Sequence, residues 1–184
     1  ARPFPEVFAT PPTPHPAQVW ALGTSPTSAK FAGERGLPYS FGAFLDPRNL
    51  MAALGAYHGG FKPSRWSDVG RVNLGWYVCA ADTEEEAWRR CKSSELWFVE
   101  TFLRGQNKPF PTTAQAEAAQ YSQQEQAMVE FRRQTSIVGT GEQVIKGLTE
   151  LKNQLMVDEF TLVTLTHDPG HRHDSYRCIA NANR

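Results

Sequence analysis

The residues with the clearest chemical potential lie at 23–28, in the stretch "VWALGTSPTSAKFAGERGLPYSFGAF". Gly23, Thr24, Ser25, Thr27 and Ser28 crowd four hydroxyls and a glycine between an apolar run and a helical pattern. A strand end followed by a helix start presents free backbone N–H groups and the positive end of a helix dipole. Glycine lets backbone approach a ligand, and hydroxyls add donors for phosphate oxygens. The same residues also read as an ordinary helix start, with Ser25 as N-cap and Pro26 at the first position. The two readings are compatible, since one hydroxyl can cap while its neighbours bind.

Three other groups carry weaker signals. Gly139-Thr140-Gly141 is a second glycine-rich helix start, fully explained by a Thr140/Gln143 capping box. In "THDPGHRHD", His167, His171, His173 and Asp168 are metal-ligating types. Pro169-Gly170 makes a turn there and no fourth ligand has clear spacing, so no metal site is assigned. Cys79 reads as core. So do most of the strand aromatics Tyr39, Phe41, Trp76 and Tyr77, with one or two left to line a pocket.

These candidates need elements to hold them. Val19–Leu22 reads as a short buried strand and residues 28–35 as a helix stopped by Gly36. Leu37–Phe44 reads as a second strand with Leu37, Tyr39 and Phe41 on one face. "DPRNLMAALGAYHGGF" reads as a helix with Asp46 as a candidate N-cap, Pro47 first, and apolar residues at 50, 51, 54 and 57. Val72–Ala81 is a third strand. "DTEEEAWRRCKSSELWFVETFL" is a helix with an acidic first turn. Residues 105–136 form a Gln/Ala-rich excursion with an exposed helix over 114–133, simplest as a solvated surface and otherwise a lid or docking segment. A helix from Thr140, a strand over Glu159–Leu165 and a short helix over 171–182 close the chain. Residues 1–18 are a Pro-rich lead-in, in which "EVFATPP" could form a short extended piece.

Strand and helix alternate throughout, which implies right-handed βαβ units and a parallel sheet. Four strands are clear. The 184 residues suffice for one ordinary domain, 1–184. Nineteen basic residues balance nineteen acidic ones, so charge points to neither nucleic acid nor membrane. No apolar run approaches the ~18 residues of a membrane span. Three widely spaced cysteines form no disulfide framework, which suits a reducing cytoplasm. The chain lacks an initiator Met and reads as a fragment or a processed start.

The chain resembles the C-terminal half of bacterial luciferase-like flavin-dependent monooxygenases. "VWALGTSPTSAKFAGERGLPYSFGAF" is similar to the family's fifth strand, its hydroxyl-rich loop and its sixth strand. "ALGAYHGGFKPS", "VCAADTEEEAW", "VGTGEQVIKGLTEL" and "DEFTLVTLTHDPGHRHDSYRCIANA" resemble the segments that follow, in the family's order. Arg172, Ser175 and Tyr176 fit the start of its last helix. Thr24 stands where Ser is commoner, which keeps the hydroxyl.

The resemblance implies strands five to eight of a (β/α)8 barrel, a fold of about 250 residues. It implies that Gly23, Thr24, Ser25, Thr27 and Ser28 hold the phosphate of reduced FMN, with a deazaflavin as the variant cofactor. It implies oxygenation of an aldehyde-like substrate, with reduced flavin supplied by a separate reductase. It places His167 on the barrel rim, where proton chemistry is a lesser option. Half a barrel leaves two strand edges and one concave apolar face uncovered. The expected partner is the N-terminal half-barrel or a second copy of the chain. A non-catalytic flavin- or phosphate-binding subunit is the alternative.

Overall fold

The computed structural model describes residues 17–184. The expected Pro-rich lead-in lies outside them except for its last two residues, and the "EVFATPP" piece lies wholly outside. The described chain runs β1 (Ala21–Gly23), α1 (Pro26–Glu34), β2 (Tyr39–Phe41), α2 (Leu50–Gly60), β3 (Val72–Ala80) and α3 (Glu84–Phe98). A π-helical turn (Val99–Leu103) ends α3. Then come α4 (Thr113–Glu117), α5 (Gln123–Gln134), β4 (Ile137–Gly139), α6 (Gly141–Leu155), β5 (Glu159–Val163) and α7 (Pro169–Ala182).

All strand pairs are parallel. β3 is central and pairs β2, β4 and β5, so one of its two edges serves two partners. A strand's polar groups alternate between its edges. Tyr39 and Phe44 N–H groups donate to the carbonyls of Arg71 and Gly75, and Ala81 N–H donates to Gly139. The even-numbered residues serve the other edge. Thr164 donates to the Val78 carbonyl, and Ala80 N–H donates to Ser175 Oγ. β4 therefore occupies the edge that β2 leaves at Phe44. Without this insertion the order is β1-β2-β3-β5, four consecutive parallel strands of a barrel.

The two faces of β3 differ. Val72, Leu74, Trp76, Val78 and Ala80 enter the main core with Tyr39 and Phe41, beneath α1, α2, α6 and α7. Burying a side chain such as Phe41 stabilises by about 1.5–3 kcal/mol. The opposite, inner face is not the apolar surface expected of a half-barrel. Ser40 and Thr161 both donate to Asn73 Oδ1, at 2.9 and 3.1 Å. Higher on this face, Tyr77 and Cys79 pack with Cys91 and Trp88 of α3 and with Phe44. Gly75 lets the Phe44 ring pack close, since a Cβ there would meet the ring at 3.0 Å.

Other expectations need correcting. β1 and β2 are three-residue strands, shorter than expected; β2 buries Tyr39 and Phe41, whereas β1 buries no residue fully. β4 was not anticipated. α2 begins at Leu50 and its N-cap is Asn49, not Asp46. Asp46 instead accepts from the Arg48 backbone and guanidinium, which closes a turn before the helix. The polar excursion holds two helices where one was expected over 114–133. The break follows from Ser122, whose capping box with Glu125 starts a new helix.

Candidate functional site

The β1–α1 turn is built by reciprocal capping. Ser25 is extended (φ −132°, ψ 153°) and accepts from the Ser28 N–H at 3.2 Å. Ser28 Oγ accepts from the Ser25 N–H at 3.3 Å and from the Ser25 hydroxyl at 3.1 Å. The Ser28 hydroxyl donates to the Ser25 carbonyl at 2.9 Å. The Tyr39 hydroxyl closes the group, 3.1 Å from Ser28 Oγ and donating to the Ser25 carbonyl at 3.4 Å. Burial pushes the Tyr39 phenol above its ordinary pKa, which keeps it protonated. Ser28 has no capacity left for a ligand, and Ser25 has little.

Gly23 is also explained locally, since a Cβ there would lie 2.2 Å from Ser28 Oγ. What remains is Thr24 and Thr27, whose hydroxyls have no hydrogen-bond partner among the described residues. The first turn of α1 also has no acidic residue to offset its dipole.

A cavity of about 270 Å³ lies at the same end of the sheet. Phe44, Arg48, Tyr77, Phe98, Phe131 and Arg132 are among the residues that line it. The turn and the cavity meet at Gly42. Gly42 N–H donates to the Gly23 carbonyl at 3.3 Å. Thr24, Leu45 and Phe44 side chains all approach Gly42 within 3.6 Å of where its Cβ would stand. Tyr77 OH contacts Ser94 Oγ at 2.8 Å, and burial raises its pKa well above the ordinary value. It is a neutral phenol at the cavity wall. Sequence reasoning did not locate this cavity. Its traces are the Phe131-Arg132-Arg133 run and the Asp46-Pro-Arg48 turn, which have no periodicity of their own.

The weaker candidates are placed elsewhere. Thr140 and Gln143 form the expected capping box. Gly141 is required because a Cβ would sit 2.3 Å from the Cys178 carbonyl oxygen. Among the described residues no three His, Cys, Asp or Glu side chains are grouped to hold a metal. Asp168 instead caps α7, accepting from the Gly170 N–H at 2.7 Å. Ser175 is fully buried against β3, and the Tyr176 hydroxyl reaches the Leu162 carbonyl at 3.4 Å. Cys79 is buried and all three cysteines are free. No helix among the described residues is long and apolar enough to cross a membrane.

Four consecutive parallel strands, with α1, α2, α6 and α7 packed on one face and a strand-end turn beside a cavity, define half of a TIM-type barrel. The luciferase-like monooxygenase family model matches residues 2–159, and the chain belongs to that family. It is 35% identical over 185 residues to the uncharacterized protein YwcH of Bacillus subtilis (strain 168), covering 97% of this chain and 54% of the relative. The structure of apo-MsnO8 superposes with a TM-score of 0.79 at 26% identity, over 96% of this chain and 54% of that one. The chain thus spans about half the length of the relatives it matches.

Two more distant structures share the fold. One is the oxygenating constituent of 3,6-diketocamphane monooxygenase of Pseudomonas putida in complex with FMN (TM-score 0.57, 17% identity; 89% of this chain, 46% of that one). The other is an F420-dependent secondary alcohol dehydrogenase with an F420-acetone adduct (TM-score 0.53, 13% identity; 93% and 50%).

Proposed function

We propose that this chain is the cofactor-anchoring C-terminal half of a flavin-dependent monooxygenase. The β1–α1 turn would receive the FMN phosphate. The observation that carries the reading is the pair of unpartnered hydroxyls, Thr24 and Thr27, at an uncompensated helix start that joins an aromatic cavity through Gly42. Ser25 and Ser28 hold the turn in shape, while Thr24, Thr27 and the free N–H groups of α1 meet the phosphate. Bound reduced flavin would supply the reaction with oxygen that transfers an oxygen atom to an aldehyde-like substrate. Phe44, Phe98 and Phe131 would exclude water from the reacting end, and Tyr77 would offer a neutral wall.

The remaining half of the barrel must come from elsewhere. Among the described residues β1 pairs only β2, and β5 pairs only β3. Leu22 projects from the inner face with 75% of its surface exposed. These edges suit the N-terminal half-barrel or a second copy of the chain, and a separate reductase would feed the flavin. A deazaflavin with hydride transfer is the second reading, favoured by the same phosphate-type anchor and by the F420 adduct in a fold relative.

The test is a titration of the purified chain with FMN and with riboflavin. FMN should bind at least tenfold tighter, and a Thr24→Val/Thr27→Val double variant should erase that preference. Equal affinities for the two flavins would reduce the turn to a helix cap. Turnover of an alkanal by this chain alone with reduced flavin would overturn the half-site reading.

A further inference from the structure

Three arginines stand together near the cavity, and two are satisfied. Arg48 is held by Asp46 through contacts of 2.6–3.1 Å. Arg133 forms a two-pronged pair with Glu95 at 2.6 and 2.8 Å. Arg132 has no ion pair or side-chain hydrogen bond among the described residues. Its one specific contact is a stacking one, with the guanidinium carbon 4.0 Å from the Phe98 ring centre. Stacking uses the face of a guanidinium and leaves its edge donors free.

Among the described residues no carboxylate pairs with Arg132 directly. Asp46 and Glu95 are already engaged, and Tyr77 is kept neutral by burial. Arg132 is half-buried, and partial desolvation lowers its pKa while the neighbouring Glu95 charge acts the other way. Such a group is costly unless an anion pairs with it. Its surroundings are apolar: Phe44, Phe98, Met128 and Phe131 share the cavity wall. The volume of about 270 Å³ is at the small end for ligand sites. That suits a one- or two-ring molecule better than a whole flavin nucleotide.

We propose that this cavity binds an apolar, ring-bearing carboxylate whose anionic end pairs with Arg132. The binding claim stands on the cavity's own geometry. Its role as the substrate side of the site rests on the flavin reading above, and it narrows the substrate to molecules carrying both a carboxylate and an oxidisable group.

The test is calorimetric titration of the flavin-free chain with 2-naphthoate and 2-naphthamide, which have the same shape and differ in charge. Naphthoate should bind at least tenfold tighter. Arg132→Gln should lower it to the level of the amide, Arg132→Lys should recover part of the difference, and Lys146→Gln, an exposed cation on α6 outside the cavity, should leave it unchanged. Equal affinities in the native chain, or no binding of either compound at millimolar concentration, would overturn the proposal without any variant. Displacement of naphthoate by FMN but not by riboflavin would also overturn it, because Arg132 would then hold the cofactor phosphate. The Thr24→Val/Thr27→Val variant should keep its preference for naphthoate. Loss of the FMN preference and loss of the naphthoate preference therefore fail separately.

Discussion

α1 and α6 start in the same way. Each follows a short strand that ends in glycine, and each opens with a capping box, Ser25/Ser28 in one and Thr140/Gln143 in the other. They differ in what meets the helix dipole. α6 carries its own anion, Glu142, whose carboxyl is held below its ordinary pKa by its own backbone N–H and by the Thr140 hydroxyl. Its first glycine is filled by neighbouring chain, with the Cys178 carbonyl against Gly141. α1 has no acidic residue in its first turn, and the Thr24 and Thr27 hydroxyls have no partner among the described residues. Capping chemistry alone thus does not mark a ligand site. The distinguishing feature is a cap whose surplus donors and positive end the protein itself leaves uncompensated.

This contrast can be broken at the two glycines. Gly141→Ala sets a Cβ against backbone, which cannot rotate away, so α7 must shift. A loss of about 3 kcal/mol is expected by chemical denaturation. Gly23→Ala meets side-chain atoms of Ser28 and Tyr39 and no backbone, so its stability loss should be smaller, while its FMN affinity should fall. If Gly141→Ala weakened FMN more than Gly23→Ala, the assignment of roles would be reversed.

α3 provides a second filled start. Glu86 accepts from Arg89 and Arg90, and these bonds draw its pKa from the ordinary 4.5 down to about 2. A depressed carboxylate contributes stability above its unfolded pKa and loses it as pH falls through the folded value. The window here is about pH 4.5 to 2. Glu86→Gln leaves Arg90, with a side chain only 10% exposed, without its near partner. We expect a loss of about 2 kcal/mol at pH 7 and a flatter acid limb in that window. An unchanged acid-unfolding profile would remove Glu86 from this group.

The smallest change converts the open start into a filled one. Thr27→Glu places an anion in the first turn of α1, at an exposed position. It should raise stability by about 0.5 kcal/mol and abolish the preference for FMN over riboflavin. A variant that gained stability and kept the preference would move the phosphate away from this turn.

Much of the framework was legible in the chain because it depends on near neighbours. The Thr140/Gln143 box spans three residues, and the acidic start of α3 is a run of three glutamates. β3 reads as a continuous buried strand because every one of its nine residues is apolar or small enough to be covered, apart from Asn73. The site was legible only in part. Gly23, Thr24, Ser25, Thr27 and Ser28 formed one undivided group of candidates. Their division into structural and free members depends on Tyr39, which reaches Ser28 only because β2 lies beside β1. Asp46 looked like a cap because its pairing with Arg48 competes with a helix start of the same local form.

By itself the sequence determined the alternation of four strands with helices, the parallel topology and the family, but not β4 or the break between α4 and α5, since side-chain alternation, caps and turn residues act over a few positions. The tertiary structure alone decided which donors are spent and which are left. It put Tyr39 on Ser28, Gly42 between the turn and the cavity, Glu95 on Arg133 and no carboxylate on Arg132. The physical reason is that a donor is left for a ligand only where packing has not already given it a partner within the protein. That condition is set by contacts between residues far apart in the chain.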